Sequence, residues 1–391
     1  MYQKLISHSP DLKRLRDEGY EIEIQNGFLL VHHIPYVNSR REINYGILIS
    51  ELTLNGSQTT KPASHVIFFK GEHPCDKNGN IIQAISHSTS NQTLFGSFVV
   101  NHTFSNRPAD GYNDYFDKIS TYAEIISAPA KSIDNTQTEK TFKLINDIEF
   151  DSVFAYIDSN SSRANIYSIS EKLNNQRIGI VGLGGTGAYI LDFISKCPVK
   201  EIRLFDGDTF LQHNAFRSPG AASINTLNEQ KKKVSYYQGI YSNLYRNISV
   251  TDSFITEDNL NLLDGLSCVF ICVDRGRIKK VIMDYLVLQG IVFIDVGLGV
   301  NKVDDMLIGT IRVTSATKSK HDHLERRVPI SDDKDDEYNS NIQIAELNAL
   351  NASLAVIKWK KMCGFYNDLE NEYHSTYSIN VSQLLNDETT A

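Results

Sequence analysis

The hydrophobic pattern changes character part-way along the chain. In the first third, apolar residues come in short strand-like runs. Tyr20 to Ile24 and Phe28 to His32 are separated by Gln25-Asn26-Gly27, and Asn-Gly favours the positive φ angles of a hairpin turn. Gly46 to Leu54 and His65 to Lys70 continue the series. Ahead of them, Ser9 can cap a helix, Pro10 suits its first position, Leu12 and Leu15 share a face, and Gly19 can end it. No repeat of helix and strand emerges before residue 126, so this part is predicted to be a compact α+β module. From Ser127 to Lys140 the segment SAPAKSIDNTQTEK is polar, contains Pro129 and lacks periodicity, as a surface connection would. It divides the chain into a domain over 1–140 and a second over 141–391.

Beyond the connection, continuous apolar runs alternate with amphipathic ones. RIGIVGLG, EIRLFDGD, ISVTDSFI, SCVFICVD and IVFIDVG read as strands, and AYILDFISKC, KKVSYYQGIYSNLYR and KKVIMDYLVLQ between them as helices. Strands apolar on both faces need helices on both faces. The expected fold class is therefore α/β, a Rossmann-like, doubly wound, mostly parallel sheet preceded by a smaller α+β domain.

The length of 391 residues suits two such domains. A hydrophobic content of 41% with 22% charged residues is ordinary for a soluble protein, and no apolar run approaches the ~20 residues that span a membrane. The opening MYQKLISHSPDLKRLRDEGY lacks the apolar stretch of a secretory signal, so a cytoplasmic location is the expectation, with no membrane partner. The five cysteines form no C-x-x-C pair, and zinc is not expected. Cys75, in GEHPCDKNG, has a turn-like, exposed setting; Cys268, Cys272 and Cys363 read as core. A formal charge of -8 without a dominant basic stripe argues against nucleic acid as a partner.

Candidate chemistry begins at GLGGTG. Gly182, Gly184, Gly185 and Gly187 follow an apolar strand and open a predicted helix, where glycines let backbone approach a phosphate and the helix N-terminus supplies unpaired N–H groups. Asp206, at the end of the next strand, is placed to accept hydrogen bonds from ribose hydroxyls. Up to here NAD fits as well as ATP. The string LFDGDTFLQHNAFR then brings Asp206, Asp208, Asn214 and Arg217 close together, a set that suits a triphosphate whose leaving charge must be neutralised and that hydride transfer does not need.

At these residues the sequence resembles the ThiF/MoeB family and the adenylation domains of ubiquitin-activating enzymes, over about residues 155 to 365. GLGGTG, the string from Asp206 to Arg217, and Asp274 at the end of FICVD carry the likeness. The resemblance implies that Asp206 binds ribose, that Asn214, Arg217 and Lys233 contact ATP phosphates, and that Asp274 positions Mg²⁺. Arg163, in DSNSSRANI, corresponds to an arginine that reaches the partner subunit's ATP, which implies a homodimer; a plain surface arginine is the other reading. Lys233 lies in a run of three lysines that could simply be a solvated helix start, and Asp274 could instead cap the helix after it. The implied reaction is ATP-dependent adenylation of the C-terminus of a ubiquitin-like or sulfur-carrier protein.

The family's thioester cysteine has no counterpart in the crossover segment at about 315–341, SATKSKHDHLERRVPISDDKDDEYNSN, and the zinc-binding cysteine pairs are missing as well. Ser340 falls close to the position of that cysteine and could form an oxyester, with Asp332, Asp333, Asp335, Asp336 and Glu337 raising local basicity, although such an acidic run also suits a solvated loop. His321 and His323 make a lone H-x-H in the same segment. The passage SPDLKRLRDEGYEIEIQNGFLLVHHIPYVN resembles bacterial two-part proteins in which an uncharacterised domain precedes a ThiF-type domain, associated with ubiquitin-like conjugation operons. That implies a carrier and a conjugating enzyme as partners, with antiviral defence as a possible setting, and recognition of one of them by the first domain. An NAD-dependent oxidoreductase and a catalytically silent nucleotide-binding scaffold are the alternatives.

Overall fold

The computed structural model describes residues 2–56, 58–143, 152–156, 158–164, 166–330 and 342–389. It divides into two compact units, Met1–Asp151 with Tyr156–Tyr167, and Ser152–Ala155 with Ser168–Ala391.

The first unit opens with α1 (Tyr2–His8) and α2 (Pro10–Asp17), followed by β1 (Glu21–Gln25), β2 (Phe28–Val37) and β3 (Ile43–Glu51). After a small hairpin of β4 (Leu54–Asn55) and β5 (Gln58–Thr59) come β6 (Val66–Lys70), β7 (Ser86–Phe95), β8 (Phe98–Ser105) and α3 (Tyr115–Ile133). The sheet is antiparallel, in the order β1-β2-β3-β6-β8-β7. Its first hairpin turns where expected: Gln25 pairs with Phe28, and Asn26 and Gly27 take φ values of 47° and 82°. Leu29 and Val31 pack with Tyr115, Ile119, Tyr122 and Ile126 of α3, whereas Leu30 joins Ile49 and Val100 in a separate cluster. Successive strand residues thus face opposite sides.

Two local expectations fail. Residues 127–133 are the last two turns of α3 rather than a loop, because Ser127 and Ala130 are buried while Pro129 is accommodated inside the helix. Ser9 precedes α2 but does not cap it; its hydroxyl accepts the Thr59 N–H at 3.0 Å. Lys118 on α3 is buried and donates to Ser50 Oγ, Ser64 O and Val66 O, and burial pushes its pKa down to about 8.

After α4 (Ser159–Arg163) and α5 (Tyr167–Ser170), the second unit alternates strand and helix as the sequence predicts. The elements are β9 (Arg177–Val181), α6 (Gly185–Ile194), β10 (Glu201–Phe205), α7 (Gln212–Ala215), α8 (Ile224–Asn228), α9 (Lys233–Tyr241), β11 (Ile248–Thr251), β12 (Cys268–Ile271), α10 (Gly276–Gln289) and β13 (Val292–Val303). They are followed by β14 (Met306–Ala316), α11 (Leu324–Arg327), α12 (Ala345–Met362), β15 (His374–Ser378) and β16 (Gln383–Asp387). The sheet order is β11-β10-β9-β12-β13-β14-β15-β16, parallel through β13 and antiparallel beyond it. Strand order reverses between β9 and β12, and the carboxyl ends of strands at such a reversal are where ligands sit in open α/β sheets. Cys268 and Phe270 pack into one core with residues of α6, α9 and α12; Val269 and Ile271 pack into another with α10.

A buried polar chain crosses the antiparallel part. Asp295 is fully buried between Lys279 Nζ at 3.0 Å and Arg312 Nη2 at 2.7 Å. Arg312 Nη1 donates to Thr314 Oγ1, which lies 3.0 Å from His374 Nδ1. Burial, and then the cations Arg327 and Arg312, push the His374 pKa down to about 4. The native state therefore refuses a proton that the unfolded chain accepts near pH 6.5, so stability is lost as pH falls from about 6.5 through 4. Replacing His374 with glutamine should flatten that slope by roughly 2 kcal/mol, measured by denaturant unfolding at pH 7 and pH 4.5.

Candidate functional site

The glycine loop leaves β9 at Gly182, whose φ of 91° suits glycine, and enters α6 at Gly185. Neighbouring backbone fixes two of its glycines. A Cβ on Gly182 would lie 2.8 Å from the Cys272 carbonyl oxygen, and one on Gly187 would lie 2.0 Å from the Gly182 carbonyl oxygen. On Gly185 it would strike the Asn348 amide at 2.0 Å. Gly184 differs, since a Cβ there meets nothing within 4 Å. The loop is thus packed on three glycines and open at the fourth, where the first N–H groups of a ten-residue helix begin.

Asp206 holds this loop. It is buried at the end of β10, accepting Leu183 N–H at 2.6 Å on one carboxylate oxygen and Asp208 N–H at 2.8 Å on the other. Each oxygen keeps a second acceptor direction. Lys233, the first residue of α9, is buried with its ammonium 2.7 Å from Asp208 and 3.7 Å from Asp206. Its two neighbours point elsewhere: Lys231 pairs with Glu229, and Lys232 donates to the Gly207 carbonyl oxygen. Among the three lysines, burial beside both aspartates therefore distinguishes Lys233.

Asn214 is buried in α7, where its side-chain oxygen accepts Leu211 N–H at 2.9 Å and its carbonyl accepts Arg217 N–H at 3.1 Å. Arg217 is half-buried, and its Nε is enclosed without a hydrogen-bond partner among the described residues. An enclosed, unsatisfied guanidinium nitrogen is costly unless something anionic completes it. Asp274 stands exposed beyond β12, one residue ahead of Arg275 at the N-cap position of α10.

The remaining sequence candidates are not among these contacts. Arg163 ends α4 in the first unit, and Ser340 with Asp332, Asp333, Asp335, Asp336 and Glu337 lies outside the described residues. Cys75 is buried rather than exposed, donating to the His73 carbonyl oxygen, and burial raises its pKa. Burial likewise pushes the Cys268 and Cys272 thiols up, and that of Cys363 to about 11. These four thiols are therefore not poised as thiolate nucleophiles. His323 is buried with Nε2 at 3.0 Å from the Ser315 carbonyl oxygen, and the described residues hold no cluster of three or more metal-binding side chains.

The model for the ThiF family matches residues 166–304, and that for a domain of unknown function, DUF6791, matches residues 10–159. The chain carries a ThiF-family domain. Ubiquitin-like modifier-activating enzyme 5 of Drosophila ananassae and of Culex quinquefasciatus are each 26% identical over 132 residues, 31% of this chain and 33% of theirs. The chain thus spans about a third of the length of the curated relatives it matches. Among solved structures, E. coli MccB with ATP is 18% identical with a TM-score of 0.47, covering 57% of this chain and 67% of that one. PaaA is 16% identical with a TM-score of 0.45, covering 57% and 76%.

Sequence reasoning missed what α12 brings to the glycine loop. Apolar residues do not define its packed face: Ile357 is 41% exposed, whereas Asn348 and Asn351 are buried with Ala352, Ala355 and Trp359. Asn348 lies against the glycine loop. The four glycines should also separate experimentally. Gly187→Ala should unfold the domain or cost several kcal/mol, since backbone at 2.0 Å cannot yield, whereas Gly184→Ala should melt within about 2 °C of the parent in thermal scans.

Proposed function

We propose that this chain is an adenylyltransferase that activates the C-terminal carboxylate of a ubiquitin-like or sulfur-carrier protein with ATP. The observation that carries the reading is the enclosed Arg217 Nε, without a hydrogen-bond partner among the described residues, on a segment whose Arg217 carbonyl meets Asn348 against a glycine loop open at Gly184. ATP supplies what each group lacks. Phosphate oxygens would meet the α6 N-terminus and the Arg217 guanidinium, and the ribose hydroxyls would reach the remaining acceptor directions of Asp206. Lys233 is the second cation of the site, and Asn214 and Asp208 fix the loop that presents Arg217 and Lys233.

In the reaction a carrier carboxylate oxygen attacks the α-phosphorus, a new P–O bond forms, and the bond to the bridging oxygen breaks as pyrophosphate leaves. No general base is needed, because the carboxylate is already ionised near neutral pH. Arg217 and Lys233 neutralise charge as it moves toward the pyrophosphate. Mg²⁺ fits as well: it needs only one or two carboxylates besides phosphate oxygens and water, and Asp274 offers an exposed carboxylate at the carboxyl end of β12. When bound, it would lower the cost of charge on the phosphates.

The same reading extends to a homodimer in which Arg163 of one copy serves the nucleotide of the other, to a conjugating enzyme as downstream partner, and to a bacterial ubiquitin-like pathway such as antiviral defence. Ser340 would receive the acyl group as an oxyester. The domain at residues 1–140 would recognise carrier or conjugating enzyme.

Exchange of labelled pyrophosphate into ATP is the direct test. The parent should exchange only in the presence of a ubiquitin-like carrier, and Asp274→Ala or Arg217→Ala should slow exchange about 100-fold. Absence of exchange with every carrier tried would sink the proposal. Ser340→Ala should leave exchange intact and remove any hydroxylamine-sensitive adduct with the carrier; an adduct of undiminished yield would rule out the oxyester.

A further inference from the structure

We propose that Asn348 is a positioning residue of the nucleotide site, one buried amide that sets the α6 N-terminus and the Arg217 segment in a single arrangement. The inference rests on the ATP-binding reading above.

Asparagine inside a helix lowers helix propensity, and a fully buried amide is costly unless both of its ends are paired. Asn348 nevertheless occupies the first turn of an 18-residue helix with no exposure. Both ends are engaged, and each partner belongs to a different part of the site. The oxygen accepts the Thr186 hydroxyl at 2.9 Å, on the second residue of α6, and the nitrogen donates to the Arg217 carbonyl at 3.3 Å. The same amide fills the space in front of Gly185, where a Cβ would come within 2.0 Å. Gly185 is therefore glycine because Asn348 is there, and the amide plane lies directly against the loop.

The two segments are far apart in sequence. One carries the N–H groups proposed to hold phosphate, and the other carries the guanidinium with its unsatisfied Nε. Without a tether, each could shift relative to the other and the phosphates would meet only one of them well. A planar amide suits the task because it presents a donor and an acceptor at fixed separation; aspartate lacks the donor and leucine lacks both.

Direct binding of MgATP and of adenosine to the full chain, by titration calorimetry, tests this. Asn348→Ala should weaken MgATP binding about tenfold and Thr186→Val several-fold, while adenosine binding stays within about twofold, since the tether acts on the phosphate-holding segments. Thr186→Ser, which keeps the hydroxyl, should restore MgATP affinity. The double variant Asn348→Ala with Thr186→Val should bind no more weakly than Asn348→Ala alone, because both remove one shared interaction. Unaltered MgATP affinity in folded Thr186→Val and Asn348→Ala, equal losses for MgATP and adenosine, or additive losses in the double variant would each overturn the role. A parent protein that binds neither compound overturns this inference together with the adenylation reading, whereas binding by the parent and equally by the variants overturns this inference alone.

Discussion

The carboxylate of Asp206 is the fixed point of the second unit. By accepting Leu183 N–H and Asp208 N–H it joins the loop after β9 to the loop after β10, and with Asp208 it gives the buried Lys233 ammonium its counter-charge. Two backbone donors on a buried carboxylate are charge-assisted hydrogen bonds, stronger and shorter than neutral ones. Removing that anion would leave the Leu183 and Asp208 N–H groups without an acceptor and Lys233 with only a half-exposed partner. The glycine loop depends on this hold as much as on its own glycines.

Much of the second unit is legible in the sequence because its constraints are local. Apolar strands such as Arg177–Val181 and Cys268–Ile271 have few alternatives to a doubly covered sheet, and the backbone crowding around Gly182 and Gly187 leaves glycine as the residue that fits. The hairpin at Asn26-Gly27 is equally local, since the turn itself demands positive φ.

What the sequence hid depends on partners distant along the chain. α3 continues through Pro129 because buried Ser127 and Ala130 hold it, so tertiary packing overrides the breaker signal of a polar, proline-containing segment. Ser9 looks like a cap but answers to Thr59, and Cys75 looks exposed until it is found beneath the His73 carbonyl. The buried face of α12 was hardest to foresee. Its leucines and isoleucines draw the eye, while Asn348 and Asn351 turn inward because backbone and hydroxyl groups of other elements await them. The turn between β13 and β14, Asp304-Asp305 with Asp304 at a φ of 54°, carries no glycine to announce it.

The trio around Asp295 has an electrostatic consequence for the same end of the sheet. Two cations, Lys279 and Arg312, share one carboxylate that is shut away from water, so the group keeps a net positive charge. Mobile counter-ions cannot enter between these groups, so their mutual attraction is screened little by salt. The exposed pairs elsewhere on the molecule weaken as ionic strength rises, while this trio holds.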